Sequence, residues 1–224
     1  MIRVCSRSLV VVACIFGFST AAHALPIVDL FNTGVGVSGV LLPGGDGVTD
    51  PHYVVSGPGT GGPVSAQTYK HPSYFADGPI SRWISSSANG FPGNGTFVFQ
   101  TSFTLAPLFN PAATSISVLC ATDNLLSGVT LNGSAVTGDC DGFAAFAPAF
   151  NITSGFVAGV NTLAFSVVDL GPPMAFRAEY ISNTALLPTD QVPVPEPTTM
   201  LLFGTGMVAM RLIRGRRSSS RRSA

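Results

Sequence analysis

A regular alternation of apolar and polar residues is the clearest pattern in the chain. Between residues 96 and 105, every second side chain belongs to an apolar face of the segment. The opposite, more polar face consists of Val98, Gln100, Ser102 and Thr104. The members of the first face are Phe97, Phe99, Thr101, Phe103 and Leu105. This period of two predicts a half-buried β-strand. Shorter segments of similar character predict further strands at 26–31, 52–55, 115–121, 127–131, 134–136, 162–169 and 175–182.

Turn-forming residues separate these segments. Asn132-Gly133 predicts a tight hairpin, and the glycine-rich and proline-rich stretches 44–47 and 57–63 predict turns or loops. No segment from 25 to 189 shows a long helical period. Short strands with turns between them predict one all-β domain over residues 25–189, a β-sandwich of the jelly-roll kind.

The first residues have the composition of a secretory signal peptide. Arg3 and Arg7 precede an apolar run from Leu9 to Phe18, and the small-x-small sequence Ala22-His23-Ala24 follows. Residues 1–24 are therefore predicted to be a signal peptide, removed by signal peptidase. A lipoprotein box at 11–14 is the alternative, but it leaves only a short hydrophobic core.

The last residues combine proline, an apolar run and arginine. A proline-rich linker at 190–199 leads into an apolar run of thirteen residues, Thr198 to Met210. As a helix this run would cover roughly 20 Å, which is shorter than the ~30 Å hydrocarbon core of a bilayer. We predict a short transmembrane helix at 200–214 and an arginine-rich cytoplasmic tail at 215–224. Arg211, Arg214, Arg216 and Arg217 would stop the chain in the membrane by the positive-inside rule. The segment is either a permanent anchor or a signal that is recognised and removed.

These C-terminal elements resemble the PEP-CTERM sorting signal of exported bacterial proteins. The resemblance lies in Val194-Pro195-Glu196-Pro197, the glycine-containing apolar run and the arginine tail, in that order. It implies a sorting motif at Pro195, Glu196 and Pro197, recognised by an exosortase-type membrane enzyme. It further implies an inner-membrane-anchored precursor that reaches the cell surface or the extracellular polymer of a Gram-negative bacterium.

Charge and cysteine content fit an exported domain. All eleven acidic residues lie between Asp29 and Glu196, whereas that region holds three strong bases, Lys70, Arg82 and Arg177. So acidic a domain has no electrostatic surface for nucleic acid. Cys120 and Cys140 remain after removal of the leader. They are predicted either to form a disulfide worth ~3 kcal/mol or to be two buried free thiols.

A second resemblance covers roughly residues 82–180. Phe99 to Leu105, Ala121-Thr122-Asp123-Asn124, the Leu131-Asn132-Gly133 hairpin and Gly159-Val160-Asn161-Thr162-Leu163 occur in the order found in galactose-binding-like jelly rolls. Trp83-Ile84 resembles the early part of PEP-CTERM proteins with this domain. The resemblance implies a galactose-binding-like β-sandwich, a fold that binds sugars in some proteins and only packs against neighbours in others.

Seven residues are candidates for ligand or metal binding. Trp83 is the only tryptophan and could serve either as a platform for a sugar ring or as a core side chain. Asp123 and Asn124 could hydrogen-bond vicinal hydroxyls or shape the turn they occupy. Asp46 and Asp50 could hold a structural Ca²⁺ in a glycine-rich loop. Asp139 and Asp141 are an alternative pair for Ca²⁺. Either pair could instead consist of solvent-exposed loop acids that bind no metal.

The sequence predicts no catalytic residue and no organic cofactor. His52 and His71 are the only histidines left after maturation, and no Gly-x-Ser-x-Gly motif accompanies them. The leading hypothesis is a non-catalytic surface or matrix protein associated with exopolysaccharide. One alternative is a polysaccharide-active hydrolase that uses two of the acids Asp123, Asp139, Asp141, Asp169 and Glu179. Another is a structural biofilm component without a ligand.

Overall fold

The computed structural model describes residues 24–186, and within them it contains strands, turns and loops but no helix. The eleven strands are β1 (Ala24–Leu25), β2 (Thr49–Ser56), β3 (Val64–Thr68), β4 (Ile84–Ser85), β5 (Gly95–Leu105), β6 (Asn110–Asp123), β7 (Leu125–Leu131), β8 (Ser134–Val136), β9 (Phe150–Ile152), β10 (Gly159–Asp169) and β11 (Ala175–Leu186). The predicted all-β class is confirmed. In the part of the chain described, no helix is long and apolar enough to span a bilayer. The predicted signal peptide, linker, transmembrane helix and tail lie outside these residues.

All strand pairs are antiparallel and follow one continuous path, β8-β7-β10-β5-β2-β3-β4-β11-β6-β9, with β1 paired to β11. Two long ladders dominate this path. In one, β5 pairs with β10 from Gly95 opposite Asp169 to Leu105 opposite Gly159. In the other, β6 pairs with β11. The short strands β2, β3 and β4 connect the two ladders along the sheet.

The two ladders pack face to face as a β-sandwich. The ring of Phe176 on β11 lies 5.1 Å from that of Phe99 on β5 and 4.7 Å from that of Phe165 on β10, measured between centroids. Several strands separate these residues along the sheet, so the contact requires the sheet to fold over on itself. The predicted inward face of β5 is confirmed, because all five of its members from Phe97 to Leu105 are buried.

Other local predictions have mixed outcomes. The Asn132-Gly133 hairpin is confirmed, with φ of 52° and 79° at the two residues and β7 paired to β8. The strand predicted at 26–31 is wrong, because this segment is irregular and the Ile27 N–H donates to the Asn183 side chain. Strands β1, β3, β4 and β9 were not predicted, since they are short and have no clear alternation.

A second apolar cluster lies on the opposite side of the β6–β11 ladder from the main core. Its buried members are Tyr69, Tyr74, Trp83, Ala121 and Ala175. Along β11, Phe176, Ala178 and Tyr180 belong to the main core, whereas Ala175 belongs to this cluster. The segment from Tyr69 to Trp83 therefore covers the outer face of one layer. It brings aromatic side chains to the end of the sandwich where β6 finishes.

Candidate functional site

Two buried acidic residues lie at the same end of the sandwich. Asp123 is the last residue of β6 and is 3% exposed, and Asp169 is the last residue of β10 and is 1% exposed. Asn124 connects the two strand ends, since its backbone N–H donates to the Val168 carbonyl at 3.3 Å. Its side-chain Oδ1 accepts from the Leu170 N–H at 2.8 Å. These two hydrogen bonds hold the residue that follows Asp123 against the end of β10.

The two carboxyl groups differ in their hydrogen bonds. Oδ2 of Asp123 accepts from the Tyr74 hydroxyl at 2.9 Å, and its Oδ1 accepts from Nδ2 of Asn124 at 2.7 Å. Oδ1 of Asp169 accepts from the Gly171 N–H at 2.9 Å. Oδ2 of Asp169 is buried without a hydrogen-bond partner. A buried polar atom in this state is rare and costly, so it calls for a physical explanation.

Burial controls the acidity of this pair. It raises the pKa of Asp123, and the nearby charge of Asp169 raises it further, while the Tyr74 hydrogen bond opposes the shift. Burial also raises the pKa of Asp169, against the opposing hydrogen bond from Gly171. The pKa of Tyr74 is raised by burial, by its bond to Asp123 and by the charges around it.

Aromatic rings pack below these acids. The Tyr74 ring lies 4.6 Å from that of Trp83 and 5.6 Å from that of Phe143, measured between centroids. Trp83 has no exposed surface, and its Nε1–H donates to the Phe75 carbonyl at 3.1 Å. The structure therefore places Trp83 in the core and not as a sugar platform, because a buried indole face has no room for a sugar ring. Asp123 and Asn124 use their side chains to hold the turn between β6 and β7.

The two predicted metal ligands Asp46 and Asp50 have separate structural roles. Asp50 is fully buried and accepts from the Gly34 N–H at 2.7 Å and from the His52 N–H at 2.8 Å. Burial raises the pKa of its carboxyl, and these N–H donors oppose the shift. Asp46 is exposed and accepts from the Lys70 N–H. Among residues 24–186, no three His, Cys, Asp or Glu residues are grouped to hold a metal.

The remaining residues singled out from the sequence lie near the β6–β7 turn. Cys120 and Cys140 form a disulfide, which is one of the two predicted states. Asp139 and Asp141 are loop residues. Oδ1 of Asp139 accepts from the Asp141 N–H, and Oδ1 of Asp141 accepts from the Leu126 N–H. Both acids therefore fix the loop that the disulfide attaches to β6.

A hollow on another face was not predicted from the sequence. It has a volume of about 330 Å³, within the range of small-molecule sites. We call it the Asn32 hollow, and its lining includes Phe31, Asn32, Ile80, Tyr180 and Asn183. Asn32 donates through Nδ2 to the Ile80 carbonyl, and since an amide nitrogen carries two hydrogens, one donor remains. Residues 80 and 180 meet only through the fold, so sequence spacing gave no indication of this hollow.

Comparisons with known proteins identify the C-terminal segment. Residues 193–217 match the model of the PEP-CTERM protein-sorting motif. No curated protein matches the chain. Among solved structures, the chain is similar to a β-glucosidase from Kluyveromyces marxianus in complex with glucose, with 13% identity and a TM-score of 0.27. That match covers 68% of this chain and 20% of the other, and it is too weak to inform the fold or the function.

The matched residues include the predicted sorting motif Pro195, Glu196 and Pro197 and the four membrane-stop arginines Arg211, Arg214, Arg216 and Arg217. The resemblance inferred from the sequence is therefore confirmed for this segment. Residues 193–217 therefore carry a PEP-CTERM protein-sorting motif, which implies an exported, membrane-anchored precursor that is processed by an exosortase.

Proposed function

We propose that this protein is a non-catalytic, exopolysaccharide-associated component of the cell surface or extracellular matrix. The observation that carries the proposal is the PEP-CTERM motif at residues 193–217, attached to a disulfide-linked β-sandwich. A disulfide suits an oxidising compartment outside the cytoplasm. A rigid all-β domain released near Pro195-Glu196-Pro197 would enter the polymer around the cell.

The Asn32 hollow is the best candidate for contact with a sugar. It combines the half-buried aromatic side chain of Phe31 with the half-buried amides of Asn32 and Asn183. Aromatic faces pack against sugar C–H groups, and amides both donate to and accept from hydroxyls. The absence of charged residues from its lining favours a neutral polysaccharide over an acidic one.

A glycan array with the full chain, purified in detergent, tests this proposal. Ile80 is 49% exposed at the hollow, so Ile80→Trp should fill it without disturbing the core. Leu108→Trp is the matched control, because Leu108 is 58% exposed and lies in the loop between β5 and β6. We expect the array to show glycan binding that Ile80→Trp reduces at least about tenfold and Leu108→Trp preserves. Absence of binding to any glycan would contradict the association with polysaccharide.

A hydrolase is a second candidate because of the Asp123 and Asp169 pair. Glycosidases use two carboxyl groups, one with a raised pKa as the general acid, and the pKa values of both residues are raised here. However, a substrate would need access to side chains that are at most 3% exposed. Release of reducing sugar from bacterial exopolysaccharide by the full chain, abolished in Asp123→Asn, would favour the hydrolase over our proposal.

A further inference from the structure

The two asparagines of the Asn32 hollow have side chains whose orientation is fixed by the backbone. Oδ1 of Asn32 accepts from the Tyr180 N–H at 2.7 Å, and its Nδ2 donates to the Ile80 carbonyl at 3.1 Å. Oδ1 of Asn183 accepts from the Ile27 N–H at 3.0 Å. A backbone N–H can only donate and a carbonyl can only accept, so these partners decide which end of each amide is oxygen. The same bonds hold the start of the domain along β11, which places both amides at one cavity.

This orientation leaves hydrogen-bond donors for a ligand. One hydrogen on Nδ2 of Asn32 remains after the bond to Ile80. Nδ2 of Asn183 has no acceptor among residues 24–186, so both of its hydrogens remain. Each amide oxygen, by contrast, already accepts one backbone N–H. The lining therefore favours a ligand group that accepts hydrogen bonds and has no hydrogen of its own to donate. A carboxylate is such a group, but the lining contains no Lys or Arg to balance its charge.

Apolar residues make up most of the remaining lining of the hollow: Leu30, Phe31, Val35, Leu41, Pro79 and Ile80. An apolar ligand group gains stability when it leaves water for such a surface. An acetyl group combines the two properties, because its carbonyl oxygen only accepts hydrogen bonds and its methyl group is apolar.

We propose that the Asn32 hollow binds acetylated sugar residues. The acetyl carbonyl accepts from the free amide hydrogens of Asn32 and Asn183, and the methyl group packs against the apolar lining. This inference rests on the proposed function, because it names the class of polysaccharide that the same hollow binds. N-acetyl and O-acetyl groups share this chemistry, and the experiment below distinguishes them.

Tetrasaccharides with one common backbone test the inference by isothermal titration calorimetry of the full chain in detergent. Cellotetraose, chitotetraose and deacetylated chitotetraose differ only in the group on the second carbon of each sugar, which is a hydroxyl, an acetamido or an ammonium group. O-acetylated cellotetraose is the fourth ligand. We expect an acetylated form to bind at least about tenfold more tightly than cellotetraose, since it adds hydrogen bonds and a buried methyl group. The deacetylated form should bind no better than cellotetraose, because an ammonium group cannot accept a hydrogen bond.

A single substitution tests the role of the free donors. Asn183→Asp removes both free hydrogens and keeps the oxygen that accepts from Ile27, so it should fold normally and bind the acetylated ligand at least about tenfold more weakly. Asn89→Asp is the matched control and should match the wild type. Asn89 is exposed, lies outside the lining of the hollow, and also accepts a backbone N–H through Oδ1, from Phe91.

Two results would overturn the inference: no preference of the wild type for either acetylated form over cellotetraose, or unchanged affinity in a folded Asn183→Asp. Should that variant not fold, the preference among the tetrasaccharides decides. Equal binding of acetylated and unacetylated ligands would end this inference and leave the association with polysaccharide intact. The glycan array tests that association separately, so the two failures are distinguishable.

Discussion

Arg177 and Glu179 form an ion pair on β11, with Nη2 of the arginine 3.0 Å from Oε1 of the glutamate. The same guanidinium donates to the Ser81 hydroxyl at 2.6 Å and to the Ala76 carbonyl at 2.7 Å. Its carbon lies 4.8 Å from the ring centroids of both Phe75 and Phe146. The pair therefore fastens the segment that contains Tyr74 and Trp83 to the outer face of the sheet.

Removal of this guanidinium should strongly destabilise the fold. Arg177→Ala leaves the buried Glu179 carboxylate without its partner, and such changes typically cost about 3 to 5 kcal/mol. Arg82→Ala is the control, because its pair with Asp77 is more exposed, with side-chain exposures of 18% and 23%. We expect the control to cost less than half as much. Urea unfolding measures both values, and equal losses would contradict this view of Arg177.

Gly90 should not tolerate a side chain. Its φ is +67°, and an added Cβ would overlap the Tyr69 ring. Gly61 has the same φ of +67° but no atom within 4 Å of an added Cβ, so Gly61→Ala isolates the backbone strain of about 1 to 2 kcal/mol. Gly90→Ala should cost at least about 1 kcal/mol more, from overpacking. Thermal unfolding that gives the same loss for both variants would refute the close contact with Tyr69.

The disulfide should stabilise the loop that carries Asp139 and Asp141. Cys120 and Cys140 are separated by 20 positions, and a bond that closes such a loop is worth about 3 kcal/mol. The double variant Cys120→Ala with Cys140→Ala should lose about that amount in oxidising buffer. Reductant should lower the stability of the wild type and leave the double variant unaffected. A reductant effect of the same size in both proteins would mean that this bond contributes nothing.

The C-terminal arginines should decide whether the precursor stays in the membrane. Replacement of Arg211, Arg214, Arg216 and Arg217 by Ser removes four of the six arginines whose positive charge retains a short apolar segment. We expect the precursor to lose its stable membrane association, as cell fractionation would show. Arg82→Ser, in the domain, is the control and should fractionate as the wild type. Normal retention and processing of the four-arginine variant would contradict the role of these residues.

Local patterns predicted much of the fold, whereas the site depends on contacts that the sequence does not display. The alternation of β5 predicts its buried face because successive side chains point to opposite sides of a strand. Asn132-Gly133 predicts its hairpin because both residues tolerate positive φ. Tyr74 meets Asp123 across 49 positions, and no short-range pattern encodes such a pair. An exposed Trp83 could have bound a sugar ring. It is buried instead because the segment that contains it folds over β11.

Because residues 193–217 match a protein-sorting motif, we expect this protein to be exported and sorted through that segment. Mass spectrometry of both ends of the mature protein, recovered from the cell envelope and the medium, tests it most directly. We expect a chain that begins at Leu25, has lost its arginine tail near Pro195-Glu196-Pro197, and contains the Cys120–Cys140 bond. Recovery of the protein from the cytosol with its leader and tail both attached would contradict it.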